Sequence, residues 1–408
     1  MNEAPPANSQ AFLSRAWPFL AALAFVPYLL ALRHGFYEDD FWYLEKAFLV
    51  GSHPLRAFVP WKDGEVRPVG VSFFYLQYLL FGFRPFGYNL VSLLLHIGSA
   101  LLVARMAILS GVGRGASIAA GILFFAGMGH CGKPIEWACT QPMALATFLA
   151  LASTVLLLSG RRRVVLPIAA AIAAMLAHEI ALLAPLGFAL ISLLARHPRR
   201  RVLAASGIAA TILFSILTLP EHMKHPVHEI TAGRYLRNLV NYAGSYIVAP
   251  QSVTVALQHV PLVPAASAGF LIAAIPFLIG VAVLAGLAAI AARARGAQLG
   301  ILVLGALVLA PALAMPMPPH WVETRHLYTA SAFLLPAVCA AVAAIPGRFP
   351  SWRPLLTAMG LLFFLGVVSG SLYMTRRVYQ EASKPDVQQR WERLNEVRAG
   401  LPPQLWRE

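Results

Sequence analysis

Long apolar blocks, separated by short clusters of arginine, make up most of this chain. Of its 408 residues, 59% are hydrophobic and only 12% are charged, whereas a soluble domain carries about 25% charged residues. Many of the blocks reach the roughly 20 apolar residues that a helix needs to span a bilayer. The sequence therefore predicts an all-α integral membrane protein and excludes an ordinary soluble domain.

The basic clusters indicate which loops share one side of the membrane. Lysine and arginine collect in the cytoplasmic loops of membrane proteins, so the loops with the following residues are predicted to be cytoplasmic: Arg114, Arg161, Arg162, Arg163, Arg196, Arg199, Arg200, Arg201, Arg293, Arg295, Arg348 and Arg353. None of the 17 acidic residues lies in these loops, and apart from Glu3 the acids fall in segments that alternate with them. Topology thus explains the net charge of +15, and no nucleic-acid partner is expected.

This alternation predicts about eleven membrane-spanning helices, with the N-terminus inside and the C-terminal tail outside. Their approximate bounds are 16–33, 86–109, 116–129, 141–160, 164–177, 180–195, 202–219, 265–291, 298–315, 327–345 and 354–373. The apolar segment 69–83 is not counted, because one more crossing would move the clusters 161–163 and 196–201 to the outer side, against the charge rule. It is predicted to be a juxtamembrane helix in the outer interface, so that residues 34–85 form one large first outer loop.

Two regions follow from this topology. Residues 1–375 form the multi-span transmembrane domain, and residues 376–408 form a short helical tail on the outer side. Within the tail, the amphipathic pattern of residues 386–399, with Pro385 before it and Gly400 after it, predicts one helix.

The first outer loop holds the densest group of polar residues, and its acids are the first candidates for catalysis. Glu38, Asp39 and Asp40 directly follow the first predicted span, where neighbouring carboxylates repel one another and lose solvation. A carboxylate in such a position can accept the proton of an attacking hydroxyl group. The same oxygens could instead hold a divalent cation such as Mg²⁺ or Mn²⁺, or form a solvated cap on a helix end.

Outer arginines and histidines are the candidates for binding a phosphate. The planar guanidinium group suits phosphate oxygens, and Arg67 and the pair Arg325-His326 lie on the predicted outer side. For a single residue of this kind, snorkelling to lipid headgroups is the alternative role. His178 and Glu179 occupy an outer hairpin between two short spans, either as part of the site or as a polar turn.

What the sequence lacks limits the kind of donor that a group transferase of this composition could use. The chain has no glycine-rich nucleotide-binding loop after a strand. A sugar transferase of this composition would therefore take its donor through the membrane plane, as a lipid-linked sugar.

Several stretches resemble the GT-C membrane glycosyltransferases, especially protein O-mannosyltransferases and the transmembrane O-mannosyltransferases that carry tetratricopeptide repeats. Four of them are Tyr37-Glu38-Asp39-Asp40-Phe41, the element from Arg67-Pro68 to His96, Lys133-Pro134-Ile135-Glu136-Trp137, and Glu323-Thr324-Arg325-His326-Leu327-Tyr328. A weaker fifth stretch is His178-Glu179 followed by Ala184-Pro185-Leu186. The resemblance runs in the family's order over about residues 20–345.

The resemblance implies a GT-C-like helical bundle and a dolichyl- or undecaprenyl-phosphate sugar donor. It also implies that a residue of the acidic pair, here Asp39 with Asp40 beside it, is the catalytic base. This sequence departs from the family in containing no tetratricopeptide array, in the Cys131-Gly132 insertion before Glu136, and in having Asn89 where a histidine is expected. The sugar and the acceptor therefore stay open.

Together these patterns predict a glycosyltransferase, inverting or retaining, that moves one sugar from a polyprenyl-phosphate carrier to a protein or glycan acceptor. Asp39 is predicted to be the base, with Asp40 and Glu136 positioning the acceptor or tuning Asp39. The predicted substrate-binding residues are Arg67, Glu136, His178, Glu179, Arg325 and His326. Alanine-rich spans and short loops favour a bacterial inner membrane, with the site facing the periplasm.

Two non-enzymatic functions are the alternatives. A polyprenyl-lipid flippase or transporter is expected to carry ionisable residues in the middle of its spans, whereas here they gather at one face. A non-catalytic membrane assembly subunit is expected to have lost the acidic pair, and Asp39-Asp40 is intact.

Overall fold

The computed structural model describes nine stretches of the chain, and these are helical with no β-strand among them. They are residues 7–33, 35–36, 39–61, 65–127, 137–160, 164–224, 231–245, 265–313 and 326–382. The predicted all-helical class is therefore confirmed for this part of the chain. Glu136, Arg325 and the predicted tail helix 386–399 lie outside the described residues.

Fourteen α-helices and four short 3₁₀ turns occur within these stretches. The helices are α1 (Ala7–Ala31), α2 (Asp40–Ser52), α3 (Pro68–Phe81), α4 (Pro85–Leu109), α5 (Arg114–Ala126), α6 (Gln141–Leu158), α7 (Val165–Ala177), α8 (Ala184–Leu194), α9 (Arg200–Lys224), α10 (Ala232–Ser245), α11 (Ala265–Ala291), α12 (Gly296–Leu313), α13 (Leu327–Arg348) and α14 (Arg353–Ala382). The 3₁₀ turns are Pro54–Phe58, Ala138–Thr140, Glu179–Ala181 and Pro350–Trp352.

A helix lies at each of the eleven predicted spans, but fewer of them are long enough to cross a bilayer alone. Five apolar helices in the described residues have the required length and composition: Pro85–Leu109, Ala138–Leu158, Arg200–Leu217, Leu327–Ile345 and Pro350–Tyr373. Helix α8, for example, has 11 residues, and at about 1.5 Å per residue it covers only part of a core about 30 Å thick. The structure thus supports several membrane spans, and the eleven-helix bundle stays a prediction.

Helices α2 and α3 form a packed pair within the segment predicted to be the first outer loop. Most of the segment 69–83 is helical, as α3, which begins at Pro68, where a missing N–H costs a helix nothing, and ends at Phe81. Aromatic rings join the two helices: the ring centroids of Tyr43 and Phe74 are 5.6 Å apart and those of Phe48 and Tyr78 are 4.5 Å apart. The aromatic contacts make this pair a rigid unit on which polar side chains can be positioned.

Hydrogen bonds between buried polar side chains join the long helices. His96 of α4 lies 2.7 Å from the Tyr28 hydroxyl of α1 and 3.0 Å from the Tyr328 hydroxyl of α13. The hydroxyls of Thr147 in α6 and Thr329 in α13 are 2.7 Å apart. Such polar pairs supplement close packing between helices inside a membrane.

The basic loops described by the structure gather at one end of the helices, called the basic end below. Gln298, near the start of α12, donates from Nε2 to the Ser110 carbonyl oxygen that follows α4, at 3.1 Å. A methyl group at Gly296 would lie 3.5 Å from the carbonyl oxygen of Leu194, at the end of α8. The loops that begin at residues 110, 195 and 292 are therefore neighbours, as their shared arginines predict. The starts of α2, α3, α6 and α13 lie at the opposite end, called the site end.

Candidate functional site

The two aspartates at the start of α2 have opposite environments. Asp39 precedes the helix and is exposed, whereas Asp40 is only 1% exposed. The Asp40 Oδ1 atom accepts a hydrogen bond from the backbone N–H of Cys139 at 2.6 Å, in the turn that leads into α6. Asp40 therefore anchors α2 to this turn, and Asp39 is the member of the pair that solvent can reach.

A close helix contact brings the next polar group together. An alanine methyl at Gly70, in the first turn of α3, would lie 2.4 Å from the Ala177 carbonyl oxygen and 2.8 Å from the Pro142 Cβ atom. Only glycine fits at such a distance, so the start of α3 rests directly on the end of α7. Arg67 lies just before this contact, at the start of α3. His178 and Glu179 lie just after it, at the end of α7.

The guanidinium group of Arg67 is held by three partners. It forms two hydrogen bonds with the Glu179 carboxylate, one of them from Nε to Oε2 at 2.5 Å. Its Nη2 atom lies 2.7 Å from Glu65 Oε1, and Nη1 donates to the Tyr43 hydroxyl. A paired fork of this kind fixes the orientation of an arginine that is only 7% exposed.

A second buried cation, Lys46 of α2, joins the same group. Its side chain is 1% exposed, and Nζ lies 2.8 Å from Glu65 Oε2. The ammonium group also lies 3.1 Å from the ring centroid of Trp42 and 5.2 Å from that of Trp61, where the aromatic faces attract it. Lys46, Glu65, Arg67 and Glu179 are called the ion cluster below.

Among the described residues, the ion cluster pairs two cations, Lys46 and Arg67, with two carboxylates, Glu65 and Glu179. Burial by itself would raise the pKa of the Glu179 carboxyl, but the charge of Arg67 and the hydrogen bonds from Arg67 hold that pKa below its usual value. Burial raises the pKa of Glu65, against the opposing charges of Arg67 and Lys46. Glu179 is thus the firmly ionised partner of Arg67, whereas Glu65 takes up a proton more readily.

The two predicted histidines have separate surroundings at the site end. His178 Nδ1 accepts a hydrogen bond from the Ile180 N–H at 3.1 Å, which makes Nδ1 an acceptor and orients the ring next to Glu179. His326 is buried just before α13, with its ring centroid 6.3 Å from that of Tyr242 in α10. The structure therefore joins Arg67, His178 and Glu179, and it places His326 against α10.

Some of the predicted site residues, and the predicted metal site, cannot be located from the described residues. Since Glu136 and Arg325 are outside those residues, their roles in the site stay predictions. Within the described stretches, no three His, Cys, Asp or Glu side chains are grouped so that they could hold a metal ion. A site for Mg²⁺ or Mn²⁺ likewise remains an expectation from the sequence.

Lys46 and Glu65 are the members of the ion cluster that the sequence analysis did not assign to the site. The position of Lys46 in the sequence could have identified it. It lies on one buried helix face, at the three- and four-residue spacing shared by Tyr43, Lys46, Ala47 and Val50. A lysine on an otherwise apolar helix face is expected to have a partner. Glu65, the partner here, was noticeable only as one of several acids in the loop.

These features define a polytopic helical membrane protein with a buried ion cluster next to an acidic pair. Its sequence is similar to two protein O-mannosyl-transferases of Drosophila melanogaster, Tmtc1 and Tmtc2. The identity to Tmtc1 is 38% over 119 residues, which cover 26% of this chain and 14% of that protein. The identity to Tmtc2 is 40% over 121 residues, covering 26% of this chain and 13% of that protein.

The similarity is confined to part of the molecule. The aligned segment spans only about a seventh of the length of each relative. No family model matches the chain, and no solved structure matches it. The relationship to the O-mannosyl-transferases therefore rests on this segment.

Proposed function

We propose that the protein is a glycosyltransferase of the GT-C type that takes a sugar from a polyprenyl-phosphate carrier and transfers it to a hydroxyl group of a protein or glycan. The partial similarity to protein O-mannosyl-transferases carries the proposal and makes mannose the first sugar to test. The proposed location is a bacterial inner membrane, with the site end at the periplasmic face. An exposed carboxylate beside a buried ion cluster supports transfer chemistry at that end.

Asp39 is proposed to be the general base. Its carbonyl oxygen accepts the N–H of Tyr43 at 3.0 Å, so the two residues are one helical turn, about 6 Å, apart along α2. Because the Tyr43 hydroxyl contacts Arg67, the backbone of Asp39 is one helical turn from a residue that contacts the ion cluster, which supports this role. Asp39 takes the proton of the acceptor hydroxyl, whose oxygen attacks the anomeric carbon of the sugar. The bond from sugar to phosphate breaks, and its electrons leave with the polyprenyl phosphate.

The ion cluster is proposed to supply rigidity and positive potential for the leaving phosphate. The contacts of Arg67 use four of its five N–H donors, which leaves one for a substrate oxygen. Arg325 and His326 are therefore proposed as the main phosphate-binding residues, with His178 and Glu179 holding Arg67 in place. Asp40 and Glu136 are proposed to position the acceptor side of the site.

The test uses the full-length protein in liposomes with radiolabelled polyprenyl-phosphate mannose and a hydroxyl-bearing acceptor peptide. The Asp39→Asn variant is expected to transfer label about 10²-fold or more slowly, because it lacks the base. Glu45→Gln is the matched control, since Glu45 is an exposed carboxylate on the same helix, and it is expected to keep wild-type transfer. Full transfer by Asp39→Asn would remove Asp39 from the mechanism.

The same liposomes separate the enzyme from the flippase alternative. An enzyme releases label into the acceptor, whereas a flippase moves intact labelled lipid between the leaflets and labels no product. Movement of lipid without labelled product, with several donor sugars and acceptors, would therefore favour the transporter.

A further inference from the structure

A crevice of about 450 Å³ lies at the basic end, opposite the candidate site. The ends of four helices form it: α4, α11, α12 and α13. Its volume falls within the range of about 300–1,000 Å³ that is typical of ligand sites. Its place in the molecule separates it from the acidic pair and the ion cluster.

One wall of the crevice is apolar and made of small side chains. Ala337, Ala340, Ala341 and Ala344 line it from α13, and their spacing places them on one face of that helix. The side chain of Ile301, in α12, lines the crevice as well. Because alanine fills little volume, this face leaves an apolar channel suited to a hydrocarbon chain.

The polar side of the crevice is cationic. Arg293 lines it with an exposed side chain, just after the end of α11. Gln298 also lines it, but its amide is already bonded to the Ser110 carbonyl oxygen. The sequence places no acidic residue in segments 110–115, 292–298 or 346–354, which surround the crevice. An anionic group is therefore favoured at Arg293, since basic pockets between membrane helices bind anionic lipid headgroups.

Aromatic side chains mark the membrane interface at the same level. Phe349 lines the crevice, and its ring centroid is 5.8 Å from that of Trp352. Both side chains are 54% exposed. Exposed aromatic rings beside apolar helices are typical of the boundary between headgroups and acyl chains. The crevice thus opens where a phospholipid presents its phosphate and the start of its chains.

We propose that this crevice binds one anionic phospholipid, with an acyl chain along the alanine face and the phosphate at Arg293. The inference is independent of the proposed transferase activity, because it uses neither the acidic pair nor the ion cluster. It assigns a lipid site to the end of the protein away from the chemistry.

The test is native mass spectrometry of the full-length protein in detergent, titrated with phosphatidylglycerol or phosphatidylcholine. The wild-type protein is expected to retain one phosphatidylglycerol in preference to phosphatidylcholine. Arg293→Gln is expected to weaken phosphatidylglycerol retention about five-fold, since one arginine near the headgroups contributes roughly that much. Ala340→Leu, which fills the apolar channel, is expected to weaken it by a similar factor. A thermal melt of each variant checks that the fold is kept.

Arg295→Gln is the matched control, because Arg295 is exposed, lies two residues from Arg293 and does not line the crevice. It is expected to retain the lipid as the wild type does. Equal losses in Arg293→Gln and Arg295→Gln would indicate a diffuse basic surface and overturn the proposal. Equal retention of the two lipids, or unchanged retention in Ala340→Leu, would overturn it as well.

Discussion

At the scale of single residues, burial separates functional groups that look alike in the sequence. Asp39 and Asp40 are adjacent acids, yet one is exposed and the other bonds the Cys139 backbone. The sequence shows the acidic pair, but it does not show that the two acids have different environments. The partner of Asp40, Cys139, lies 99 residues further along the chain. For the same reason a local pattern shows that Lys46 is on an apolar face but not that Glu65 and Trp61 surround it.

Removal of Lys46 is expected to destabilise the site. In Lys46→Met the carboxylate of Glu65 loses one of its two cations, and breaking a buried pair typically costs about 3–5 kcal/mol. We expect about 3 kcal/mol here, at the lower end, because Glu65 stays 21% exposed. The measurement is the midpoint of thermal unfolding in detergent.

Two further variants make this prediction specific to the ion pair. Arg84→Met, at an exposed arginine of the same predicted outer loop, is expected to change the stability by no more than about 0.5 kcal/mol. Adding Glu65→Leu to Lys46→Met is expected to recover much of the loss, because no unpaired charge then stays buried. If Lys46→Met melts as the wild type does, the ammonium group does not stabilise the cluster.

At the scale of helices, the apolar blocks predict where helices lie better than they predict which ones cross the membrane. A helix occurs at every predicted span, because long runs of apolar residues without strand signals leave no other way to satisfy the backbone in lipid. The short helices α5, α7 and α8 lie at the predicted spans 116–129, 164–177 and 180–195 and have 13, 13 and 11 residues. The amphipathic helix α10 was missed because no long apolar block marks it.

The contact between α3 and α7 gives a prediction about how helices position the site. Gly70→Ala places a methyl group 2.4 Å from the Ala177 carbonyl oxygen, so the two helix ends must move apart. Overpacking of this kind costs about 1–3 kcal/mol, and here it also separates Arg67 from Glu179. We expect a lower unfolding midpoint together with reduced sugar transfer.

The control for this change is Gly366→Ala in α14. A methyl group at Gly366 meets no atom within 4 Å, and alanine is favoured over glycine in a helix interior by about 0.5–1 kcal/mol. This variant is expected to be as stable as the wild type or slightly more so. A Gly70→Ala protein that matches it in stability and transfer would show that the close contact is not needed.

At the scale of the whole molecule, charge and structure divide the protein in the same way. The charge rule assigns the described basic loops to one side from the sequence alone. The hydrogen bond from Gln298 to Ser110 and the crevice shared by Arg293 and Phe349 bring those loops to one end. The acidic pair and the ion cluster occupy the other end, so the proposed sugar transfer and the proposed phospholipid site are held apart by the length of the helices.

This division predicts opposite chemical accessibility for two single-cysteine positions. Ser52, at the end of α2, and Gly113, just before α5, are both exposed, and α4 runs between the two ends. In right-side-out vesicles, a membrane-impermeant maleimide is expected to label Ser52→Cys directly. The same reagent is expected to label Gly113→Cys only after permeabilisation, because the charge rule predicts that the basic end faces the cytoplasm. Unsubstituted protein gives the background from the native cysteines.

The reverse labelling pattern would place the candidate site in the cytoplasm, where the proposed periplasmic transfer could not occur. Equal labelling of both positions in sealed vesicles would show that the two ends do not lie on opposite sides of the membrane.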